Sequence, residues 1–425
     1  MAGELNHMAK TSIHRRSNCC RLCKGTRITL RFSLAPTPPA EWYYTEAHKH
    51  LTEQTFPLDV YQCLECGHVQ LIDIIDPKAL YDTYFYTTAS SPGLTEYFKE
   101  YAIHLVSFLK LESDSLVIDI GSNDGTFLHN FFKMGYDVIG VEPSKIVAEV
   151  ALKEGIRTIN NFLNEDVVEV ITTDFGRADL ITANNVFAHN DDLSEMAKCI
   201  RKLLKPGGVF VFEVSNLHDT IFKRVFDFIY HEHLSYHSIK PLKKFIKSQK
   251  MDLFHVEKSP SKGGTIRCYC KTDISPAKNS VSVEDFIKIE EEAGLYNSVT
   301  YSNFSSEIEK IGTEFKNKLL TLKKENKIVV GYGACATVTT LLYQFDIANL
   351  IDFLVDDNPI RHFTYSPGHH IPVFPPSQID KQKVDAIAIL AWRFETQILE
   401  KNQDRFDNKM VIIPNLQHNS VDALK

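Results

Sequence analysis

The chain has 425 residues, of which 44% are hydrophobic, which is enough to bury more than one core, so we predict two or three domains. The formal net charge is -7, and the Lys and Arg residues are interspersed with Asp and Glu, which argues against a surface for duplex nucleic acid. The first residues carry no apolar signal segment, and no apolar run is long enough to span a bilayer. We therefore expect a cytoplasmic protein whose partners include neither nucleic acid nor membrane.

Four of the nine cysteines form two C-x-x-C pairs in the N-terminal segment: Cys20 with Cys23, and Cys63 with Cys66. Four thiolates match the closed tetrahedral site that structural zinc prefers. Ordinary buried thiols are the weaker alternative, and Cys19 could take the place of Cys20. Because four sulfur ligands leave no open position, the predicted zinc is structural rather than catalytic.

From about residue 113, apolar strands alternate with amphipathic helices. Predicted strands lie at 116–121, 137–142, 178–186 and 209–214, followed by a strand-like hairpin at 251–258 and 265–271. This order predicts a mostly parallel, doubly wound sheet with helices on both faces. Helical periodicity continues over 281–327, and a second set of strands is predicted near 328–332, 351–359, 384–392 and 410–415.

The first strand of this pattern runs into a glycine turn, DIGSNDG, whose candidate ligand-binding residues are Asp119, Gly121, Ser122, Asn123 and Gly125. A dinucleotide site needs G-x-G-x-x-G, and this turn has no glycine at the middle position. Glu142, followed by Pro143, ends the next strand 21 positions after Gly121, where a carboxylate can accept ribose hydroxyls. The turn therefore favours a nucleoside ligand without phosphates, and it resembles the first two motifs of class I S-adenosylmethionine-dependent methyltransferases.

Two further stretches are candidates for the same crevice. Phe162 follows the third strand, where an adenine ring needs an apolar face, although a core role is equally open. Asn184, Asn185 and His189 lie at the end of the strand predicted at 178–186, and the carboxyl ends of such strands form the crevice of a doubly wound sheet. Paired asparagines there indicate a site, because a buried amide needs several hydrogen-bond partners.

The segment FIYHEHLSYH at 228–237 contains three histidines, two tyrosines and one glutamate after the fifth strand. The zinc-protease pattern H-E-x-x-H is absent, and a polar surface loop is the alternative for any single histidine. The cluster favours a base with nearby hydrogen-bond donors, which is what abstraction of a proton from carbon requires.

The whole ordered set of motifs is similar to the sugar C-methyltransferase family that acts on nucleotide-linked 4-keto-deoxysugars. The set comprises the cysteine pairs, DIGSNDG, the Glu232-His233 pair, GYGA at 331–334 and VDDNP at 355–359. The resemblance implies a class I methyltransferase sheet flanked by an N-terminal zinc-binding domain and a C-terminal Rossmann-like α/β domain. We expect these domains at 15–80, 81–275 and 276–425.

The resemblance also implies a reaction. Methyl would pass from S-adenosylmethionine to C3 of a 4-keto-6-deoxyhexose linked to dTDP or another nucleoside diphosphate, in deoxysugar biosynthesis. His233 would be the base, with Tyr230 and Glu232 beside it. The aromatic stretch at 81–86 implies that Tyr84 or Tyr86 reaches the site, with a core or lid role equally open.

Two groups near the C-terminal half complete the expected substrate site. The resemblance implies that Gly264 and Arg267 help to enclose the nucleotide-sugar, Arg267 through the diphosphate, while a surface salt bridge is an equal alternative. The turn from Gly331 to Gly333 suggests a nucleotide cofactor, but we find no acidic residue at the end of a following strand and interpret the turn as vestigial.

Two other functions remain open from the sequence. One is an O- or N-methyltransferase acting on a small metabolite. The other is a zinc-containing, RNA-binding methyltransferase, against which the acidic balance argues.

Overall fold

The computed structural model describes residues 13–48, 53–81, 87–90, 93–259, 264–272 and 280–416. The N-terminal part is mainly antiparallel β-structure. Its elements are β1 (His14–Arg16), β2 (Ile28–Thr37), β3 (Phe56–Cys63), β4 (Val69–Leu71), β5 (Asp73–Ile75) and the short helix α1 (Pro77–Tyr81). Residues of β3 alternate between buried and half-buried, as expected for a strand with one face on a core.

The middle of the chain alternates strands and helices as the sequence predicts. Its elements are α2 (Leu94–Leu109), β6 (Leu116–Ile120), α3 (Thr126–Lys133), β7 (Asp137–Val141), α4 (Lys145–Lys153), β8 (Thr158–Ile159), α5 (Glu165–Asp174), β9 (Ala178–Asn184), α6 (Leu193–Leu203), β10 (Leu204–Ser215), α7 (Leu217–Phe222), β11 (Ser235–Tyr236), α8 (Ile239–Ser248), β12 (Met251–Ser259) and β13 (Thr265–Thr272).

Seven of these strands form one sheet in the order β12-β13-β10-β9-β6-β7-β8. Pairs among β10, β9, β6, β7 and β8 are parallel, and β13 runs antiparallel to both neighbours. All five residues of β6 are buried, because helices cover both faces of the sheet there. The predicted doubly wound sheet and its closing hairpin are confirmed.

The C-terminal part contains a second doubly wound sheet. Its elements are α9 (Ser282–Glu292), α10 (Ser298–Lys324), β14 (Val329–Tyr332), α11 (Ala336–Gln344), β15 (Phe353–Val355), β16 (Thr364–Tyr365), β17 (Pro372–Phe374), α12 (Gln378–Lys381), β18 (Ala386–Ile389), α13 (Glu395–Lys401), α14 (Gln403–Phe406) and β19 (Met410–Ile412). The strand order is β16-β17-β15-β14-β18-β19, parallel except for β16. The predicted Rossmann-like architecture is confirmed.

The N-terminal, middle and C-terminal parts of the chain share elements and a core. Strand β11 pairs with β4 of the N-terminal sheet although it follows the methyltransferase strands in sequence. Helix α9 packs against α8 and β12, and α10 packs against β2. One hydrophobic cluster joins side chains of the N-terminal sheet, the segment from 217 to 236 and the C-terminal sheet. That segment therefore lies where all three parts meet.

Among the residues that the structure describes, none of the helices is both long enough and apolar enough to cross a membrane.

Candidate active site

The glycine turn after β6 brings the backbone close to its neighbours. Gly121 has φ 70°, and a Cβ there would overlap Cγ2 of Val186. Asn123 has φ 52°, a left-handed conformation that asparagine tolerates better than most residues, and its backbone N–H donates to Glu142 Oε2 at 2.9 Å. Asparagine can therefore occupy the position where the dinucleotide motif has glycine.

Replacing Gly121 with Ala is expected to destabilise the turn by about 2–4 kcal/mol and to weaken cofactor binding about tenfold, because the added methyl combines a left-handed backbone with a steric overlap. Gly135→Ala is the matched control, since Gly135 has φ 91° with open space around it. Chemical unfolding and calorimetric titration with S-adenosylmethionine would measure both effects. Equal losses in the two variants would contradict the close-approach argument.

The carboxylate of Glu142 accepts hydrogen bonds from backbone N–H groups of the glycine turn and of its own loop. Its Oε1 accepts the backbone N–H of Ser144 at 2.8 Å, and its Oε2 accepts that of Asn123. Only 6% of Glu142 is exposed, and burial raises the pKa of its carboxyl. The side-chain amide of Asn160 donates to the carbonyls of Glu142 and Pro143, both at 2.9 Å. Each carboxylate oxygen keeps a second lone pair, which suits the hydroxyls of a ribose.

Buried polar atoms without partners mark the same crevice. Both amide atoms of Asn184 and Oγ of Ser122 are buried and have no hydrogen-bond partner in the described protein. Such atoms cost about 1–3 kcal/mol each when left unpaired, so they indicate where a polar ligand binds. The adjacent Asn185 has φ 57°, and its N–H donates to the Glu213 carbonyl at 2.8 Å. The cradle, the carboxylate and these atoms suit a nucleoside cofactor such as S-adenosylmethionine.

Asp119 lies in β6 directly beneath the turn. Its Oδ1 accepts the Thr182 hydroxyl at 2.6 Å, and only 3% of the residue is exposed. Burial raises its pKa from 3.8 to about 7. The folded protein therefore takes up a proton at Asp119 at a higher pH than the unfolded chain does.

The raised pKa of Asp119 predicts how the free energy of unfolding changes with pH. A raised carboxyl pKa stabilises the folded protein fully below the unfolded value, and that stability is lost as pH rises from about 4 to about 7. Asp119→Asn is therefore expected to remove up to about 4 kcal/mol from the change of unfolding free energy with pH. As pH rises, the variant should become more stable relative to the parent protein. Urea unfolding at several pH values would measure it, with the exposed Asp137→Asn as control. An unchanged slope in Asp119→Asn would contradict the assignment.

The second part of the site is the base loop, residues 226–236, which leads into β11. Nδ1 of His233 lies 2.6 Å from the carbonyl oxygen of Phe228. A carbonyl only accepts, so Nδ1 carries the proton and Nε2 carries the basic lone pair. The ring of His233 packs against those of Tyr230 and His189, with centroids 4.1 and 5.0 Å away. His189, which the sequence placed with the cofactor, thus lies beside the candidate base.

Two half-buried tyrosines, Tyr230 and Tyr81, adjoin this loop. Burial and the charge of Glu232 hold the pKa of Tyr230 well above its usual range, so its phenol remains a donor. The hydroxyl of Tyr81 lies 3.1 Å from Nδ1 of His189. Burial, then the charges of Glu232 and Glu142, raise the pKa of Tyr81. Tyr81 therefore lies between the cofactor turn and the base loop.

Sequence reasoning pointed to the aromatic stretch at 81–86 but favoured Tyr84 or Tyr86, both of which lie outside the described residues. Tyr81, the first residue of the stretch, is the one seen in the site. Its ring also meets the edge of Phe162, which is 39% exposed, with centroids 6.4 Å apart. The predicted adenine-side residue thus lies at the rim of the same crevice.

The structure gives Arg267 a different setting from the predicted contact with a diphosphate. Its guanidinium donates to Glu213 at 2.9 Å, Glu257 at 3.1 Å and the Tyr97 hydroxyl at 3.0 Å, and it lies 3.5 Å from the centroid of the Tyr101 ring. These contacts occupy the planar fork, and only 8% of the residue is exposed. Arg267 is thus part of an internal ion-pair network between β10, β12, β13 and α2. The salt bridge that was the alternative is present but internal, and the contact with a diphosphate stays a prediction.

Gly264 stands at the start of the second hairpin strand with φ 129°, and a Cβ there would overlap the carboxylate of Asp219. Its carbonyl accepts the N–H of Asn216 at 3.4 Å. The glycine therefore allows the hairpin to approach α7 closely. Its predicted contact with a substrate stays a prediction.

The two cysteine pairs converge on one point. Sγ of Cys20 lies 3.6 Å from that of Cys66, and Sγ of Cys23 lies 3.5 Å from that of Cys63. All four sulfurs lie within 4.8 Å of one another, and Cys19 is not in the group. Tetrahedral zinc with bonds of about 2.3 Å needs sulfurs about 3.8 Å apart, so the donor set suits zinc. A hydrogen bond from Cys66 lowers the pKa of Cys20 to about 5, which makes a thiolate available.

Side chains of the protein occupy the space beside the glycine turn of the C-terminal sheet, where a nucleotide would bind. Contrary to the sequence interpretation, an acidic residue does follow the second strand of this sheet: Asp356, whose Oδ2 accepts the Ala334 N–H at 2.6 Å. The N-terminus of α11 is occupied by Glu41, which accepts the Ala336 N–H at 3.2 Å and pairs with Arg361 at 2.8 Å. A carboxylate of the N-terminal part thus stands where a Rossmann domain would place a phosphate.

Comparisons with known proteins agree with this arrangement. Three family models match successive parts of the chain: "Putative zinc binding domain" at 20–81, "Methyltransferase domain" at 94–249 and "C-methyltransferase C-terminal domain" at 260–414. The C-methyltransferase NovU of Streptomyces niveus is 27% identical over 390 residues, which cover 92% of this chain and 93% of that protein.

Shorter similarities fall within the methyltransferase sheet. A ubiquinone biosynthesis O-methyltransferase of Coxiella burnetii is 32% identical over 102 residues, or 24% of this chain and 43% of that protein. Among solved structures, the magnesium protoporphyrin IX methyltransferase of Synechocystis PCC 6803 has a TM-score of 0.32 and 12% identity, and the match covers 42% of this chain and 79% of that one.

The strand order, the cofactor turn and the family models define a class I S-adenosylmethionine-dependent methyltransferase with a zinc-binding domain. Within that class, the C-terminal part matches the C-methyltransferase C-terminal domain, and nearly the whole chain is similar to a C-methyltransferase.

Proposed function

We propose that the protein methylates C3 of a nucleotide-linked 4-keto-6-deoxyhexose, with His233 as the base. The observation that carries the proposal is the hydrogen bond from His233 Nδ1 to the Phe228 carbonyl, which leaves Nε2 as the basic nitrogen in a buried site. Carbon methylation needs such a base, because the acceptor C–H must lose a proton before it becomes a nucleophile. A 4-keto group makes the neighbouring C3 proton acidic enough for an imidazole to remove.

The neighbours of His233 suit the other half of this chemistry. Proton removal from C3 places negative charge on the C4 oxygen, and the protonated phenol of Tyr230 is a donor suited to that oxygen. Glu232 lies close enough for its charge to raise the pKa of Tyr230, which keeps that phenol protonated. S-adenosylmethionine, when bound, supplies the electrophilic methyl group.

The cofactor is proposed to lie in the crevice above β6, β7 and β9. Its proposed contacts are Asp119, Gly121, Ser122, Asn123, Gly125, Glu142, Pro143, Phe162, Asn184, Asn185 and His189. Tyr81 links this group to the base loop, since the charges of Glu142 and Glu232 both act on its hydroxyl. The nucleotide-sugar would then enter beside Tyr230, whose surroundings include Glu41 and Cys335 of the flanking parts.

The test is incubation of the purified protein with S-adenosylmethionine and a dTDP-4-keto-6-deoxyhexose in deuterium oxide, followed by mass and NMR analysis of the sugar. A new methyl group on C3 supports the proposal. Exchange of the C3 proton without methylation supports the base but points to another sugar as acceptor. Methylation of oxygen or nitrogen, with the C3 proton retained, would overturn it in favour of the O- or N-methyltransferase alternative.

A further inference from the structure

Two arginines from outside the methyltransferase sheet, the buried Arg21 and the partly buried Arg393, hold the two ends of the base loop. Arg393 follows β18 in the C-terminal sheet and contacts the start of the loop. Arg21 lies in the first cysteine pair, directly after the zinc ligand Cys20, and contacts the end of the loop. The loop itself makes up only about ten residues, so both contacts act close to His233.

At the start of the loop, Arg393 forms a salt bridge with Asp227. Its NH1 lies 2.8 and 2.9 Å from the two carboxylate oxygens of Asp227, and Trp392 adds an indole N–H at 3.0 Å. The guanidinium also lies 4.2 Å from the centroid of the Phe228 ring. Asp227 is 1% exposed, and an unpaired carboxylate there would be costly. Arg393 therefore fixes the two residues that precede Ile229.

At the end of the loop, Arg21 binds backbone. Its NH1 donates to the Leu234 carbonyl at 3.0 Å and also contacts the Leu71 carbonyl, while its Nε donates to Asp191 at 2.9 Å. Only 2% of Arg21 is exposed. The same Leu234 carbonyl accepts the Leu71 N–H at 3.0 Å. Arg21 thus ties the residue after His233 to the N-terminal sheet and to the loop after β9.

These contacts bracket the imidazole. The carbonyl of Phe228 accepts the Nδ1–H of His233, and the ring of Phe228 lies under the guanidinium of Arg393. On the other side, Arg21 binds the carbonyl of Leu234, the residue directly after His233. A shift of either end would change the distance of 2.6 Å between Nδ1 and that carbonyl. The hydrogen bond to the Phe228 carbonyl favours the tautomer in which Nδ1 carries the proton.

We infer that Arg21 and Arg393 are positioning residues that hold His233 in its Nδ1–H tautomer, so that the zinc-binding and C-terminal domains jointly set the catalytic base. The inference rests on the role of His233 in the proposed function. It gives both flanking domains a part in catalysis without any contact to the reacting atoms. Lysine would replace these arginines poorly, because its single ammonium lacks the planar fork that serves several acceptors together.

The experiment compares the full-length variants Arg393→Gln and Arg21→Gln with matched controls. Arg405→Gln removes an arginine of the same domain that pairs with Asp380 on the surface, and Arg15→Gln removes a 60% exposed arginine that binds the same Asp191 as Arg21. The first readout is the ring 15N spectrum of histidine-labelled protein, with the His233 signals identified by their loss in His233→Asn. It needs no substrate, so it stands even if the proposed sugar is wrong.

We expect the two test variants to lose the Nδ1–H signature of His233 and the two controls to keep it. With a keto-sugar that the parent enzyme methylates, kcat should fall about 10- to 100-fold while KM for S-adenosylmethionine and zinc content stay unchanged. Arg393→Lys should recover part of that loss, and it serves in place of Arg393→Gln if the latter does not fold. An unchanged His233 tautomer in the folded test variants would overturn the inference, whatever their activity.

Discussion

Replacing His233 with Asn is expected to lower kcat by about 10²- to 10⁴-fold, the usual contribution of a positioned general base. Asparagine can still donate to the Phe228 carbonyl, so the loop should keep its shape, but its amide has no basic nitrogen to replace Nε2. Binding of S-adenosylmethionine should persist, because the cofactor crevice is formed by other residues. Steady-state kinetics and calorimetric titration would measure the two effects separately.

His104→Asn is the control, since His104 lies on α2 with 42% of its side chain exposed and pairs with Glu257. It should keep parental turnover. Continued exchange of the C3 proton in deuterium oxide by His233→Asn would show that another group removes the proton. Loss of cofactor binding in the same variant would mean that the residue supports the crevice instead.

The parallel sheets were predictable because their strands are short apolar runs bounded by turn residues. All of β6 and all of β7 except its first residue are buried, and most of these residues are aliphatic, which is the pattern of a covered parallel sheet. Strand β11 carries no such signal: Ser235 and Tyr236 form a strand only because β4 lies beside them. Its pairing depends on packing between segments that are distant in sequence. The core shared by the N-terminal, middle and C-terminal parts depends on such packing as well.

The cofactor turn could be predicted from spacing, since the glycine turn and the carboxylate follow two consecutive strands of the chain. Tyr81, Arg21 and Arg393 could not, because their roles depend on partners up to 213 positions away. Arg267 did carry a signal that sequence reasoning underused. It lies inside the strand pattern TIRCYCK between buried neighbours, and an arginine buried in a strand must be paired with carboxylates of adjacent strands.

Replacing Cys63 with Ser is expected to reduce bound zinc from about one ion per chain to near zero and to unfold the N-terminal sheet at a lower temperature. Cys63 ends β3, is 1% exposed and supplies one of the four clustered sulfurs. Serine offers a hydroxyl that stays protonated at neutral pH, so the tetrahedral set is broken. Element analysis and thermal unfolding would measure the loss.

Cys19→Ser is the matched control, because Cys19 is adjacent in sequence but stands outside the sulfur cluster. It should keep both zinc and thermal stability, whereas zinc loss in this variant would show that the two cysteines exchange as ligands. Activity should fall in Cys63→Ser beyond what unfolding explains, since Arg21 follows the ligand Cys20 and reaches the carbonyl after His233. A folded, zinc-free variant with full turnover would show that the metal does not influence the base loop. The zinc would then stabilise only the N-terminal domain.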